Sequence, residues 1–109
     1  QSRVDEGRAH AEAAARGLGC VLIDMTSVAT IDLRVMVNKI GTGTQDWQLW
    51  NETDGTEVGV ISDAGAAGNK TLSGTFNVAL SGLKLLRVRA RSSVAADDPV
   101  YYGGAILLQ

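Results

Sequence analysis

Few residues of this chain carry reactive side chains, and their spacing narrows the chemistry open to them. His10 is the only histidine and Cys20 the only cysteine among 109 residues. A nucleophile and base pair of the Ser-His-Asp or Cys-His kind would have to run through His10, in an N-terminal segment that reads as a surface helix. A thiolate zinc site needs several ligands together, so Cys20, at the head of the apolar run CVLIDM, reads instead as a small hydrophobe entering a buried strand. Neither glycine-rich stretch matches a phosphate loop: IGTGTQDW lacks the lysine and the following helix, and SDAGAAGNKT shares only Gly, Lys and Thr with that pattern. The expectation is a non-enzymatic protein without a catalytic residue or a required cofactor.

Binding chemistry is better represented. Asp46, Glu52, Asp54, Asp63, Asp97 and Asp98 fall at expected loop positions. Such oxygens suit calcium, but no EF-hand spacing relates them, and solvated turn-forming acids are the simpler reading. Asn51-Glu-Thr53 and Asn69-Lys-Thr71 fit the N-glycosylation pattern, which Thr-rich loops often match by chance. Arg87, Arg89 and Arg91 alternate with apolar residues, so three guanidiniums share one strand face. They must meet carboxylates, with Asp32 and Glu52 as expected partners, or face a neighbouring subunit or an anionic glycan. Trp47 and Trp50 stand three residues apart, so on a strand they point to opposite faces. Sharing parity with Leu49, Trp47 is the expected core residue unless a bulge intervenes, and Trp50 is the outward one.

The elements that must hold these residues follow from the change of hydrophobic period along the chain. QSRVDEGRAHAEAAARGL is rich in Ala, Glu and Arg and reads as a helix, ended by Gly17 and Gly19. Val4, Gly7, Ala11, Ala14 and Leu18 fall at alternating steps of three and four, a weak small-sided stripe along it. From Cys20 onward the period is two. Strands are expected at CVLIDM, over residues 31–38, at DWQLWNE, TEVGVIS, TLSGTFNVAL and LLRVRARS, and at VYYGGAILLQ. Asp54-Gly55 favours a type I′ hairpin turn between the third and fourth of these. The fold class is therefore all-β, an antiparallel β-sandwich or jelly roll of about seven to eight strands preceded by an N-terminal α-helix. Residues 1–19 form the helix or arm and residues 20–109 the sandwich.

The totals exclude several classes. A formal charge of −2 offers no basic excess for nucleic acid, and no apolar run is long enough to span a membrane. No signal peptide opens the chain, and a single cysteine cannot form an internal disulfide, so a soluble protein assembled in a reducing compartment is expected.

The run IDLRVMVNKIGTGTQDWQLWNETDGTEVGVISDAGAAGNKTLSGTF, with the later LSGLKLLRVRARSS and DDPVYYGGAILL, resembles small β-sandwich modules of tailed-phage virion proteins. The resemblance covers Ile31 to Leu108. It implies a structural role in many copies, as a capsid decoration protein, head fibre or tail component, assembled in the host cytoplasm into the virion. Partners would be copies of the chain itself, with a trimer favoured, and other virion proteins, with the N-terminal helix as tether. The rival from another class is a carbohydrate-binding module that uses Trp50, with Tyr101 or Tyr102, and loop carboxylates to hold a sugar, with or without calcium. In the assembly reading Trp50, the arginine row and Val4, Ala11, Ala14 and Leu18 are interface residues. In the sugar reading the aromatics are the ligand platform.

Overall fold

The computed structural model describes residues 20–109; the expected N-terminal helix and its stripe lie outside the described residues. Seven strands follow in order: β1 (Cys20–Asp24), β2 (Thr30–Lys39), β3 (Gln45–Asn51), β4 (Thr56–Asp63), β5 (Gly68–Asn77), β6 (Leu83–Ser92) and β7 (Val100–Leu108). They form two antiparallel sheets, one in the order β1-β6-β3-β4 and the other β5-β2-β7.

Alternation builds the interior. β2 turns Ile31, Leu33, Val35 and Val37 inward, β3 turns Trp47 and Leu49, and β6 turns Leu86, Val88 and Ala90, all buried. Met25, in the turn after β1, completes this core. The period-two pattern continues one step further than the apolar residues do. Lys39 closes the inward row of β2 at 1% exposure, its ammonium donating to the Gly41 carbonyl at 3.1 Å. Beside it Gln45, fully buried, donates from Nε2 to the carbonyls of Ile40 and Asp97 at 3.3 and 3.1 Å. Asp63 is buried at the end of β4 and takes Lys70 at 3.1 Å. One end of the sandwich is thus lined with paired polar groups, because a buried charge or amide is tolerated only with partners. Asp63 is not the solvated turn acid expected from its glycine-rich neighbourhood.

Two further expectations need correction. The β3–β4 connection is not a type I′ turn, which requires positive φ at both central residues. Gly55 has φ +68° and no non-glycine residue among the described residues has positive φ, so Asp54 stays in the ordinary region. The loop spans four residues between Asn51 and Thr56, closed by Gly55 N–H donating to the Asn51 carbonyl at 2.9 Å. The buried Asn51 side chain holds it, donating to Asp54 Oδ2 at 2.9 Å and accepting from Asp54 N–H at 3.1 Å, which leaves the first of the two glycosylation patterns in a fully buried asparagine. β1, in turn, is mostly exposed, and so is Cys20.

One flank of the sandwich is shut. The Phe76 ring of β5 presses on Gly59 of β4 so closely that a Cβ at Gly59 would lie 2.3 Å from ring carbons, and Ile61 sits over Gly74. Gly59→Ala is therefore expected to destabilise the fold by ~1–3 kcal/mol through overpacking. Chemical denaturation will show a lower midpoint with an unchanged slope, and Phe76→Leu in the same chain should recover part of the loss.

Candidate functional site

The outer face of β3 and β6 gathers most of the residues singled out in the sequence. Trp47 is fully buried, so strand geometry sends Asp46, Gln48 and Trp50 outward. A bulge does occur beside Trp50, but it lies in the partner strand: Leu49 pairs Gly59 and Trp50 pairs Glu57, leaving Val58 as the extra residue of β4. The alternation of β3 is untouched. β6 aligns Arg91 with Asp46, Arg89 with Gln48 and Arg87 with Trp50.

This register sets which groups the arginines meet within the chain. Arg91 forms a two-nitrogen contact with Asp46 Oδ2 at 3.2 Å. Arg87 Nε lies 2.7 Å from Glu52 Oε2, off line for a hydrogen bond. Arg89 lays its guanidinium over the Trp50 ring, 4.2 Å from the centroid, a diagonal cross-strand cation–π contact. Glu52 is a partner as expected, whereas Asp32 is not. It lies in the other sheet, 3.1 Å from Arg34. Asp46, read as a loop acid, is a strand residue, and it also accepts from Ser62 Oγ at 2.7 Å.

Beside the Arg89–Trp50 stack runs a polar groove of about 450 Å³, walled by Asp46, Gln48, Glu57, Ser62, Arg89 and Arg91. Gln48 Nε2 donates to Glu57 Oε1 at 2.8 Å across it. The remaining acids are dispersed. Asp54 meets Lys84 at 2.8 Å, and its carboxyl is held below its ordinary range first by Lys84 and then by Asn51. The Asp97 carboxylate rests against Gly41. Among the described residues no three His, Cys, Asp or Glu side chains lie close enough to hold a metal ion, so the imagined calcium cluster of loop acids is not brought together.

The tyrosines part company. Tyr101 points between the sheets, its ring centroid 5.9 Å from that of Trp47, and burial pushes its hydroxyl pKa up. Tyr102 is the extra residue where the β2–β7 register shifts, and it is 60% exposed. Neither shares a surface with Trp50, so the three aromatics do not form one platform.

A second surface was not foreseen. Between β1 and β7 lies an apolar groove of about 300 Å³, lined by Val21, Ile23, Leu86, Tyr101, Ile106 and Leu108 among others, with Cys20 at its rim. The sequence signal was there in the uncharged run VYYGGAILL, yet nothing in it shows which strand lies opposite.

The chain matches no family model, no curated protein and no solved structure. Among the described residues no helix is long and apolar enough to cross a membrane.

Two outcomes are expected. Arg89→Ala should uncover Trp50 and make its fluorescence more quenchable by acrylamide, while costing less than about 1 kcal/mol in stability. Burial raises the Tyr101 pKa, so the folded chain keeps a neutral hydroxyl after the unfolded chain has ionised. The associated stability is fully present below pH ~10 and is lost as pH rises through the folded value. Tyr101→Phe should flatten that alkaline decline in denaturation midpoints.

Proposed function

We propose that the chain is a non-enzymatic structural module that acts through protein–protein assembly, the role implied by its resemblance to tailed-phage virion modules. In that setting it would serve as a capsid decoration, head-fibre or tail component in the virion. The observation that carries this reading is the open apolar groove between β1 and β7, with exposed aliphatic side chains on both strands and at the start of β6. Val21 is 42%, Leu22 61%, Leu83 60%, Leu107 54% and Leu108 36% exposed. An open groove lined by aliphatic side chains is a feature of surfaces that meet other proteins. The arginine row, an expected part of the interface, adds no support: Arg87 and Arg91 meet acids of the same chain and Arg89 is stacked on Trp50.

Copies of the chain, with a trimer favoured, and other virion proteins are the proposed partners. The stripe of Val4, Ala11, Ala14 and Leu18, outside the described residues, is the proposed tether. Light scattering on the whole chain over a range of concentrations should give a multiple of the 11.4 kDa protomer. A monomer throughout, with no change on removing residues 1–18, would sink the tethered self-assembly.

The polar groove beside Trp50 favours one second reading, the carbohydrate-binding module. Hydrogen-bonding groups adjoin an aromatic ring there, although Arg89 covers one face of that ring. Binding on a glycan array that disappears in Trp50→Ala would support it, and binding that is absent or unchanged would dispose of it.

A further inference from the structure

The two sheets are unequal, and the inequality falls on one flank. One sheet has four strands and the other three. On the shut flank β4 abuts β5 through the Phe76–Gly59 and Ile61–Gly74 contacts. Counting strands from there leaves β1 as the fourth strand of its sheet, with no described strand opposite it and none beside β7.

The side chains on both lips of the groove record this mismatch. Val21 pairs with Leu86, which is fully buried, so both face the interior, yet Val21 remains 42% exposed. Leu108 pairs with Ile31, also fully buried, yet is 36% exposed. Inward-facing aliphatic residues stay this open only where the facing layer ends.

The edge of β7 has the chemistry of a strand that pairs. Its nine residues, VYYGGAILL, contain no charge and no proline. Unpaired edges are ordinarily protected by charges, prolines, bulges or brevity. The other three outer strands have such protection: β4 has Glu57 and the Val58 bulge, β5 has Lys70, and β1 is five residues long and ends in Asp24. β7 has only the irregularity at Tyr102, which leaves Gly103 to Leu108 regular against β2.

We propose that a strand of a partner polypeptide adds to the free edge of β7, beneath β1, as the fourth strand of the smaller sheet. This rests on the assembly reading above and names the chemistry of the partner: an extended, uncharged segment of about five or six residues with branched aliphatic side chains at alternate positions. Main-chain hydrogen bonds to residues 103–108 supply affinity and the groove supplies selectivity. The groove of about 300 Å³ is roughly twice the ~150 Å³ cavity that accepts a benzene ring, so it takes about two aliphatic side chains. Residues i and i+2 of a strand, ~6.6 Å apart, match the spacing of Val21 and Ile23 above them.

A random heptapeptide display library selected on the whole chain tests this. Enriched peptides should alternate aliphatic residues and lack charges between them. They should bind at least tenfold more weakly to Val21→Lys, which puts an ammonium in the groove at a half-open position, and equally well to Trp50→Ala. Bound peptide should slow exchange of those residue 103–108 amides that do not bond to β2. No enrichment, peptides without the alternation, or binding indifferent to Val21→Lys would overturn the proposal. So would protection of these amides without peptide: if independent of concentration it assigns the edge to the chain's own N-terminal residues, and if concentration-dependent to a second copy. Self-assembly that persists in Val21→Lys, with no peptide enrichment, removes the strand docking and keeps the assembly reading. A monomer that enriches alternating peptides does the reverse.

Discussion

Trp47 sits wholly buried between the sheets, in contact with Tyr101, and the placing of the outer face follows from it. A strand allows no compromise: with residue 47 turned in, residues 46, 48 and 50 turn out. The largest fully buried side chain thus fixes the facing of β3, and through the β3–β6 register it sets which acid meets which arginine. Asp46 opposite Arg91 forms an ion pair, and Gln48 opposite Arg89 leaves that guanidinium to reach diagonally over Trp50. A one-residue slip would bring the tryptophan to solvent and drive charged groups into an aliphatic interior. The indole N–H of Trp47 finds no acceptor among the described residues, so its placement rests on packing rather than hydrogen bonding.

Among the described residues most of the interior polarity gathers at one end, while Asn51, fully buried at the other end of β3, is bound to Asp54. Lys39, Gln45 and Asp63 occupy inward positions where the apolar alternation of three strands runs out, and backbone carbonyls or Lys70 partner them. Gln45 Oε1 and the second oxygen of Asp63 are buried without protein partners. The two residues are opposite one another in the β3–β4 ladder, so their unmet acceptors belong to one polar region. The opposite arrangement holds at the β1–β7 flank, where the residues are apolar and the layer above them ends. One boundary of the core is sealed by hydrogen bonds and another is left greasy, which is why the second reads as a surface for another protein.

Much of the fold was legible from period and turn chemistry. Seven strands, the first of them starting at Cys20, the inward Trp47 and the outward arginines all follow from which residues recur at i+2. The misreadings share a cause in connectivity. Only β3 and β4, of all the consecutive strands, are neighbours in one sheet; every other step along the chain crosses between sheets. Nothing local in the sequence shows that Asp32 lies on the other sheet from the arginine row, or that Tyr101 and Tyr102 lie on the other sheet from Trp50. The local error at Asp54-Gly55 had a different origin. The pair suits a two-residue turn, but the Asn51 side chain captures Asp54 and a longer loop forms around it.

Local pattern, then, accounts for the all-β class of the fold and most of the strand faces, because side-chain alternation and turn preferences act over a few residues. Which strands become neighbours acts over the whole chain. Pairing of β6 with both β1 and β3, the flush contact of β4 on β5 and the overhang of β1 past β7 arise from burying aliphatic faces that are distant in sequence. Those pairings turned Arg89 into a cover for Trp50 and left Val21 and Leu108 half open. That layering also places the two tryptophans. Trp47 holds the sheets together, Trp50 is held by an arginine, and the open apolar groove lies at the β1–β7 flank, where one sheet is a strand wider than the other.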